Sequence, residues 1–246
     1  MIQLIPVIPF PIVNTEDEIW SSLQNSLKDL LEDGDILVSA HTPWSRVKGY
    51  IYDISEVQPS ARAIEIASII DKPAAKIEVI LQSSLNIEKI ERNLIIATNK
   101  AGILCANAGI DESNAGIGKL IAVPEDPDNL ALEIRNFVKE QLHKDIAVII
   151  SDTVGRALRR GVVNIAIGIS GIPCIRSDIE KKDLFGYEMK VSQVAIADEI
   201  ASAAELLQGQ SDEGVPFVIV RGFKINFEGE QSARFLNRPK EERLFR

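Results

Sequence analysis

The sequence predicts a mixed α and β fold, and three observations carry that expectation. Short runs rich in Ile and Val, each of strand length, recur along the 246 residues. Amphipathic stretches with apolar residues at helical spacing stand between them. Proline, glycine and aspartate punctuate the joins, as at Asp33-Gly34-Asp35.

A first helix is expected over Glu16–Leu31, ended by that Asp-Gly-Asp turn, which launches a strand at Ile36–Ala40. Pro59-Ser60 starts a helix over Pro59–Ile70, in which Ala63, Ile66, Ala67 and Ile70 fall at helical spacing. Pro73–Gln82 reads as the next helix, and Asn93–Thr98 and Ile103–Ala106 as strands. A helix at Pro127–Leu142 is followed by strands at Ile146–Ser151 and Val162–Ile169. A helix at Val194–Leu207 and a strand at Phe217–Val220 complete the series. From Gly229 to Arg246 the chain is charged and aperiodic, a tail expected to wrap over the surface. There is no internal repeat, low-complexity segment or long linker.

Composition excludes several function classes. With 46% hydrophobic and 26% charged residues, the chain reads as a soluble globular protein able to bury a substantial core. No apolar run approaches the ~20 residues of a membrane helix. The opening MIQLIPVIPFPIV is proline-broken and lacks a basic start, unlike a signal peptide. A net charge of -9 disfavours nucleic-acid binding over a broad surface. Cys105 and Cys174 lack C-x-x-C spacing and sit among apolar residues, the pattern of reduced thiols in a cytoplasmic protein.

Four segments escape the periodicity. Asn107-Ala-Gly-Ile-Asp-Glu-Ser-Asn114 follows a strand with residues suited to left-handed turns, and Asp111 supplies a hard oxygen for Mg²⁺ or Mn²⁺. The same residues also suit a plain polar turn, with Asp111 bonding its own backbone. In the second segment an apolar strand ends in Asp152-Thr153, followed by Arg156, Arg159 and Arg160. Acid and hydroxyl at a strand's carboxyl end suit a metal, and forked guanidinium donors suit phosphate or carboxylate. A structural ion-pair network is the competing reading of those arginines.

The third segment, Gln208-Gly-Gln-Ser-Asp-Glu-Gly-Val-Pro216, is a polar loop between a helix and a strand. It suits either a nucleotide cradle of backbone amides or a plain connection capped at Gly209. In the fourth, His41-Thr-Pro-Trp-Ser-Arg46, Arg46 is the better functional candidate, because a histidine at a strand end is more often structural. His143 caps a helix or faces water. There is no phosphate-binding G-x-x-x-x-G-K-[ST] loop and no G-x-G-x-x-G dinucleotide turn. Asn99-Lys100-Ala101-Gly102 carries Gly102 where a guanine-reading motif needs an acid.

Taken in this order, the segments resemble the coenzyme F420-0:L-glutamate ligases. The likeness runs through NAGIDESN at 107–114, DTVGRALRRG at 152–161, IGISG at 167–171 and KDLFGYE at 182–188. It continues through AIADEIA at 195–201, the loop at 208–216, VIVRGF at 218–223 and the ending SARFLNRPKEERLF, and so covers essentially the whole chain. The resemblance implies an α+β fold of mixed sheets with flanking helices. Residues 1–246 would form one catalytic unit of two intertwined subdomains, paired as a homodimer with the site near the interface.

It further implies a GTP-dependent amide ligase that joins L-glutamate to coenzyme F420-0 through an acyl phosphate. Mg²⁺ or Mn²⁺ at two sites is implied, together with K⁺. Matched by position, Asp111, Asp152, Thr153 and Gln210 would hold metal, and Arg156, Arg159 and Arg160 would act in catalysis. Nucleotide contacts would come from Phe10, Pro11, Ile12, Val13, His41, Thr42, Arg46 and Asn114. The loop Gln208, Gly209, Gln210, Ser211, Asp212, Glu213, Gly214 and Val215 would add more. Arg46 stands where the family often has lysine, and Gln210 where some members carry glutamate. A ligase for another carboxylate, or a nucleotide sensor without turnover, are the competing functions.

Overall fold

The computed structural model describes residues 1–224 and 231–243, and shows an α+β fold. The first half of the chain gives β1 (Gln3–Pro6), α1 (Glu16–Leu27), β2 (Ile36–Ala40), α2 (Thr42–Val47) and β3 (Ile51–Asp53). These are followed by α3 (Ala61–Ala67), α4 (Ala74–Gln82), β4 (Ser84–Glu91), β5 (Leu94–Asn99), β6 (Leu104–Ala106) and β7 (Lys119–Ile121). The second half gives α5 (Pro127–Leu142), β8 (Ala147–Gly155), β9 (Val162–Ser170), β10 (Arg176–Ser177), β11 (Gln193–Val194), α6 (Ile196–Gln208) and β12 (Phe217–Arg221).

The central sheet has five strands in the order β1-β12-β2-β8-β9. Only β2 and β8 run parallel; every other pairing among the described residues is antiparallel. Alternation along each strand feeds two cores, since successive side chains point to opposite faces. Leu37, Val148, Ile150, Phe217 and Ile219 face α1 and α5, together with Trp44. Ile36, Val38, Ala147, Ile149, Val218 and Val220 face α6. Burial on both faces explains why these strands read as continuous apolar runs. A third core joins α3 and α4 to β5 and β7 beside the smaller sheets β4-β5-β6 and β3-β7.

Most expected elements are present, with informative differences at their ends. α1 stops at Leu27 instead of Leu31, and its start is fixed by a capping box between Thr15 and Glu18. The helix expected over 59–70 is only Ala61–Ala67, with Ser60 as its N-cap. Pro127–Leu142 is helical over the expected span, and His143 ends it in a left-handed conformation. β8 continues to Gly155 instead of stopping at Ser151, because Asp152 and Thr153 pair with Ile165 and Asn164 of β9. α2 was not expected, and neither were β1, β3, β4, β7, β10 and β11, which are mostly short and lack a clear apolar period. The expected surface tail falls partly outside the described residues, at 229–230 and 244–246. Within the described part, Ala233 is buried against the α6 core and Phe235 is exposed. Among the described residues both cysteines are free, Cys174 buried and Cys105 half-buried. No helix among them is long and apolar enough to cross a membrane.

Candidate functional site

A cavity of about 560 Å³ opens at the carboxyl ends of the parallel pair β2 and β8. Ligands of open α/β sheets gather in the crevice outside such carboxyl strand ends. Five stretches of chain supply nearly all of its wall, with Ile121 of β7 added: Phe10–Val13, the end of β2 with the start of α2, the 106–114 turn, the outer rungs of the β8–β9 hairpin, and the loop after α6. Phe10 is anchored by its ring, whose centroid lies 4.7 Å from that of Phe217 in the core.

His41 and Asp152 meet at this junction. The backbone N–H of His41 donates to Ser151 at 3.1 Å, which locks the end of β2 to β8. The His41 ring is buried, with Nε2 3.3 Å from Asp152 Oδ1 and Nδ1 2.9 Å from Ser45 Oγ. Asp152 Oδ1 also accepts from the Thr153 N–H at 2.7 Å. His41 therefore buttresses an acidic side chain and lines the cavity at the same time.

The turn at 107–114 uses four left-handed residues, Asn107, Ala108, Gly109 and Asn114. A side chain at Gly109 would start 3.0 Å from Val123 and 3.8 Å from Asp152 Oδ2, so the glycine lets this turn close against the carboxylate. Asp111 Oδ1 accepts from the N–H groups of Glu112 at 2.7 Å and Ser113 at 3.1 Å, and its Oδ2 from the Ser113 hydroxyl. Desolvation opposes its charge, but the Ser113 and Glu112 hydrogen bonds and the Lys76 ammonium outweigh that and hold its pKa below the ordinary value. Arg46 donates to the Asn114 carbonyl, and Asn114 Nδ2 reaches the Ser211 carbonyl at 3.4 Å, tying three walls together.

The loop after α6 begins at Gly209 (φ 68°), where a Cβ would lie 2.0 Å from the Glu213 carboxyl carbon. Backbone N–H groups of Ser211, Glu213 and Gln210 turn toward that carboxylate and lower its pKa; the Ser211 N–H lies 2.8 Å from it. Gln208, Gly209, Gln210, Ser211, Gly214 and Val215 line the cavity, whereas Asp212 and Glu213 do not.

A family model described as F420-0:Gamma-glutamyl ligase matches residues 7–222, a span that includes every wall of this cavity. The chain belongs to the F420-0:Gamma-glutamyl ligase family. It is 44% identical over 219 residues to the coenzyme F420:L-glutamate ligase of Methanopyrus kandleri, covering 88% of this chain and 87% of that one. Identity to the protein of the same name from Methanocaldococcus jannaschii is 46% over 216 residues, 88% and 86% of the two chains. The Methanothermobacter thermautotrophicus protein is 40% identical over 250 residues, 100% of this chain and 99% of its own.

In this member of the ligase family the cavity gathers Phe10, Pro11, Ile12, Val13, His41, Thr42, Arg46, Asp111, Asn114, Asp152, Thr153 and Gln210. It does not gather Arg156, Arg159 or Arg160. Those three are exposed on the β8–β9 turn, two rungs beyond the Thr153–Asn164 pair, and Arg156 folds onto the carbonyls of Arg160 and Gly161. Among the described residues none of the three forms an ion pair.

The donor set suits a hard cation. Asp111, Asp152, Thr153 and Gln210 offer only oxygen, counting the Gln210 amide by its carbonyl. Among the described residues no group of three or more His, Cys, Asp or Glu is arranged to hold a metal. A cation here would take few charged ligands from protein and the rest from water or phosphate, as Mg²⁺ does. Cys105 adds no thiolate: burial, and then the Asp152 charge, push its pKa up to about 12.

Sequence reasoning passes over Asn164, a buried amide in the cavity wall. The signal is present in the run Val162-Val-Asn-Ile-Ala-Ile, where one amide interrupts an otherwise apolar strand and needs partners.

Proposed function

We propose that this chain is a GTP-dependent amide ligase that adds L-glutamate to coenzyme F420-0 in F420 biosynthesis. One observation carries the reading: apart from Asp212 and Glu213, the residues that the family resemblance marks for metal and nucleotide come from five distant stretches and line a single cavity. The three similar proteins are each named coenzyme F420:L-glutamate ligase.

A carboxylate is a poor electrophile, so the precursor's carboxylate first attacks the γ-phosphate of GTP, releasing GDP and forming an acyl phosphate. Glutamate's amine then attacks the acyl carbon, and phosphate leaves with the bonding pair. This chain's residues position the reactants and steady charge. Arg46, held over the Asn114 loop, contacts phosphate, and the cavity-lining residues of the loop after α6, Gln208–Ser211, Gly214 and Val215, close beside the triphosphate. His41 with Ser45 holds Asp152 in place at the cavity's floor. Asp111, Asp152, Thr153 and Gln210 would hold Mg²⁺ or Mn²⁺, which when bound neutralises phosphate charge. K⁺ belongs to the same proposal, with no residue assigned to it. The test is mass spectrometry of the product from F420-0, glutamate, Mn²⁺ and GTP or ATP, with phosphate release followed in parallel. The expected result is a glutamyl adduct and one phosphate per adduct, with GTP preferred. Phosphate release without adduct, or an adduct only with another acceptor, overturns the assignment.

The same reading includes an intertwined homodimer. Its support is a hairpin arm over 176–194 whose tip bares Leu184 (99% exposed), Phe185 (97%) and Tyr187 (59%). Asp183 accepts the backbone N–H groups of Phe185 and Tyr187, which fixes the main chain of the tip on which the exposed side chains sit. Large apolar side chains clustered and exposed on such a tip suit a protein partner. Light scattering of the purified chain is expected to give twice the monomer mass, and Phe185→Glu with Leu184→Glu is expected to give the monomer. An unchanged dimer in that variant removes the arm from the interface.

A further inference from the structure

Asn164 is 5% exposed, and its hydrogen bonds have a direction. At one end, the Pro216 carbonyl accepts from the Ala40 N–H at 2.9 Å and from Gln208 Nε2 at 3.2 Å. A carbonyl only accepts, so Gln208 must turn its NH₂ toward Pro216 and its oxygen the other way. That oxygen takes a hydrogen bond from Asn164 Nδ2 at 3.3 Å. Asn164 Oδ1 is thereby turned to Thr153, 2.7 Å from its hydroxyl oxygen. An amide oxygen cannot donate, so the single proton of the Thr153 hydroxyl goes to Asn164. One backbone carbonyl thus settles the orientation of two amides.

We propose that Asn164 and Gln208 are positioning residues that keep the Thr153 oxygen acceptor-only toward the cavity and so fit to ligate a divalent cation. This rests on the reading of Thr153 as a metal ligand. Gln210 is oriented by a parallel device: its Nε2 donates to Glu205 Oε1 at 3.0 Å and to Thr153 Oγ1 at 3.1 Å, which turns its own oxygen away from Glu205 and leaves the Thr153 oxygen one lone pair for a cation. The two devices depend on each other. The other acceptor in reach of the Thr153 hydroxyl is Gln210 Oε1, at 3.3 Å. Without Asn164 the hydroxyl proton turns there, and the two neutral ligand oxygens occupy one another.

The test is a double-mutant cycle read by calorimetric titration of Mn²⁺ into the full-length chain, alone and with a non-hydrolysable GTP analogue. Asn164→Ala is expected to weaken Mn²⁺ binding roughly tenfold, the scale on which residues behind metal ligands act. In a Thr153→Val background the same change is expected to have no further effect. Asn164→Asp keeps an acceptor for the hydroxyl and is expected to retain Mn²⁺ affinity while lowering the melting temperature, since it faces the Gln208 oxygen. A merely structural role would show the reverse: melting temperature falls in Asn164→Ala and the Mn²⁺ isotherm does not move. If Asn164→Ala weakens Mn²⁺ equally with and without Thr153, the positioning inference is overturned and the ligand reading stands. If Thr153→Val alone leaves Mn²⁺ affinity unchanged, the ligand reading itself is overturned, and the inference with it.

Discussion

At the scale of single residues, Asp152 and the arginine cluster separate what chemistry needs from what folding needs. Asp152 is held by the Thr153 N–H and backed by His41. An amide in its place keeps the shape but gives up the charge that draws a divalent cation. Asp152→Asn is expected to melt within a few degrees of the parent, to bind Mn²⁺ far more weakly and to lose ligation; full activity at limiting metal would contradict this. The arginines are exposed and, among the described residues, make no ion pairs. Arg159→Ala and Arg160→Ala should each shift stability by no more than about 0.5 kcal/mol, the usual range for surface changes. Each is also expected to lower turnover. Unfolded but intrinsically active variants would revive the ion-pair network. Parts of the cavity wall were legible in the sequence where it departs from periodicity, as at Asp111, Asp152 and most of the 208–215 loop, whereas Arg156, Arg159 and Arg160 depart from it and lie outside the cavity. Asn164 was not legible, because a single amide in a strand gives no hint of which neighbours will cross from another element to meet it.

At the scale of elements, helix starts were more legible than helix ends. Thr15 with Glu18, Ser60, and Asp126-Pro127 mark starts by side chains that cap locally. α2 escaped notice because six residues carry too little periodicity, and what stabilises it is Trp44, wholly buried and donating to Ser39 at 2.9 Å. The short strands β3 and β7 likewise depend on partners that sequence spacing does not reveal. One inter-element link makes a pH prediction. Glu78 in α4 accepts from the Ser60 hydroxyl at 2.5 Å and the Ser60 N–H at 2.9 Å, fastening α4 to the cap of α3. The Ser60 hydroxyl, then its N–H, lower the Glu78 pKa below the ordinary value. A carboxyl depressed on folding contributes fully above its unfolded pKa, about 4.3, and loses that contribution as pH falls through the lower folded value. Glu78→Gln is expected to cost roughly 1–2 kcal/mol at pH 7, with the gap to the parent closing in denaturant titrations below pH ~4. A gap that stays constant down to pH 3 would mean the charge contributes nothing.

At the scale of the whole molecule, the fold class followed from the alternation of runs and amphipathic stretches. Strand order did not follow, because β12, the last strand, inserts between the first two, β1 and β2. That insertion places the loop after α6 beside the turn after β2, and Pro216 accepts from Ala40 as a result. Nothing local announces a contact that spans most of the chain. Pairings of such sequence separation also make folding slow compared with helical proteins of similar size.

The five-walled cavity has a consequence for how the protein fails. A break anywhere between Val13 and Gln208 divides the five walls between two pieces, so no single fragment carries the whole cavity. Ligand capture is then a gauge of intact assembly as much as of chemistry. In a denaturant series, quenching of a fluorescent GTP analogue should vanish at the same midpoint as helical circular dichroism. If capture disappears well before the helices do, the cavity has a loosening step of its own, and partly unfolded molecules would persist in a cell as inactive but compact protein.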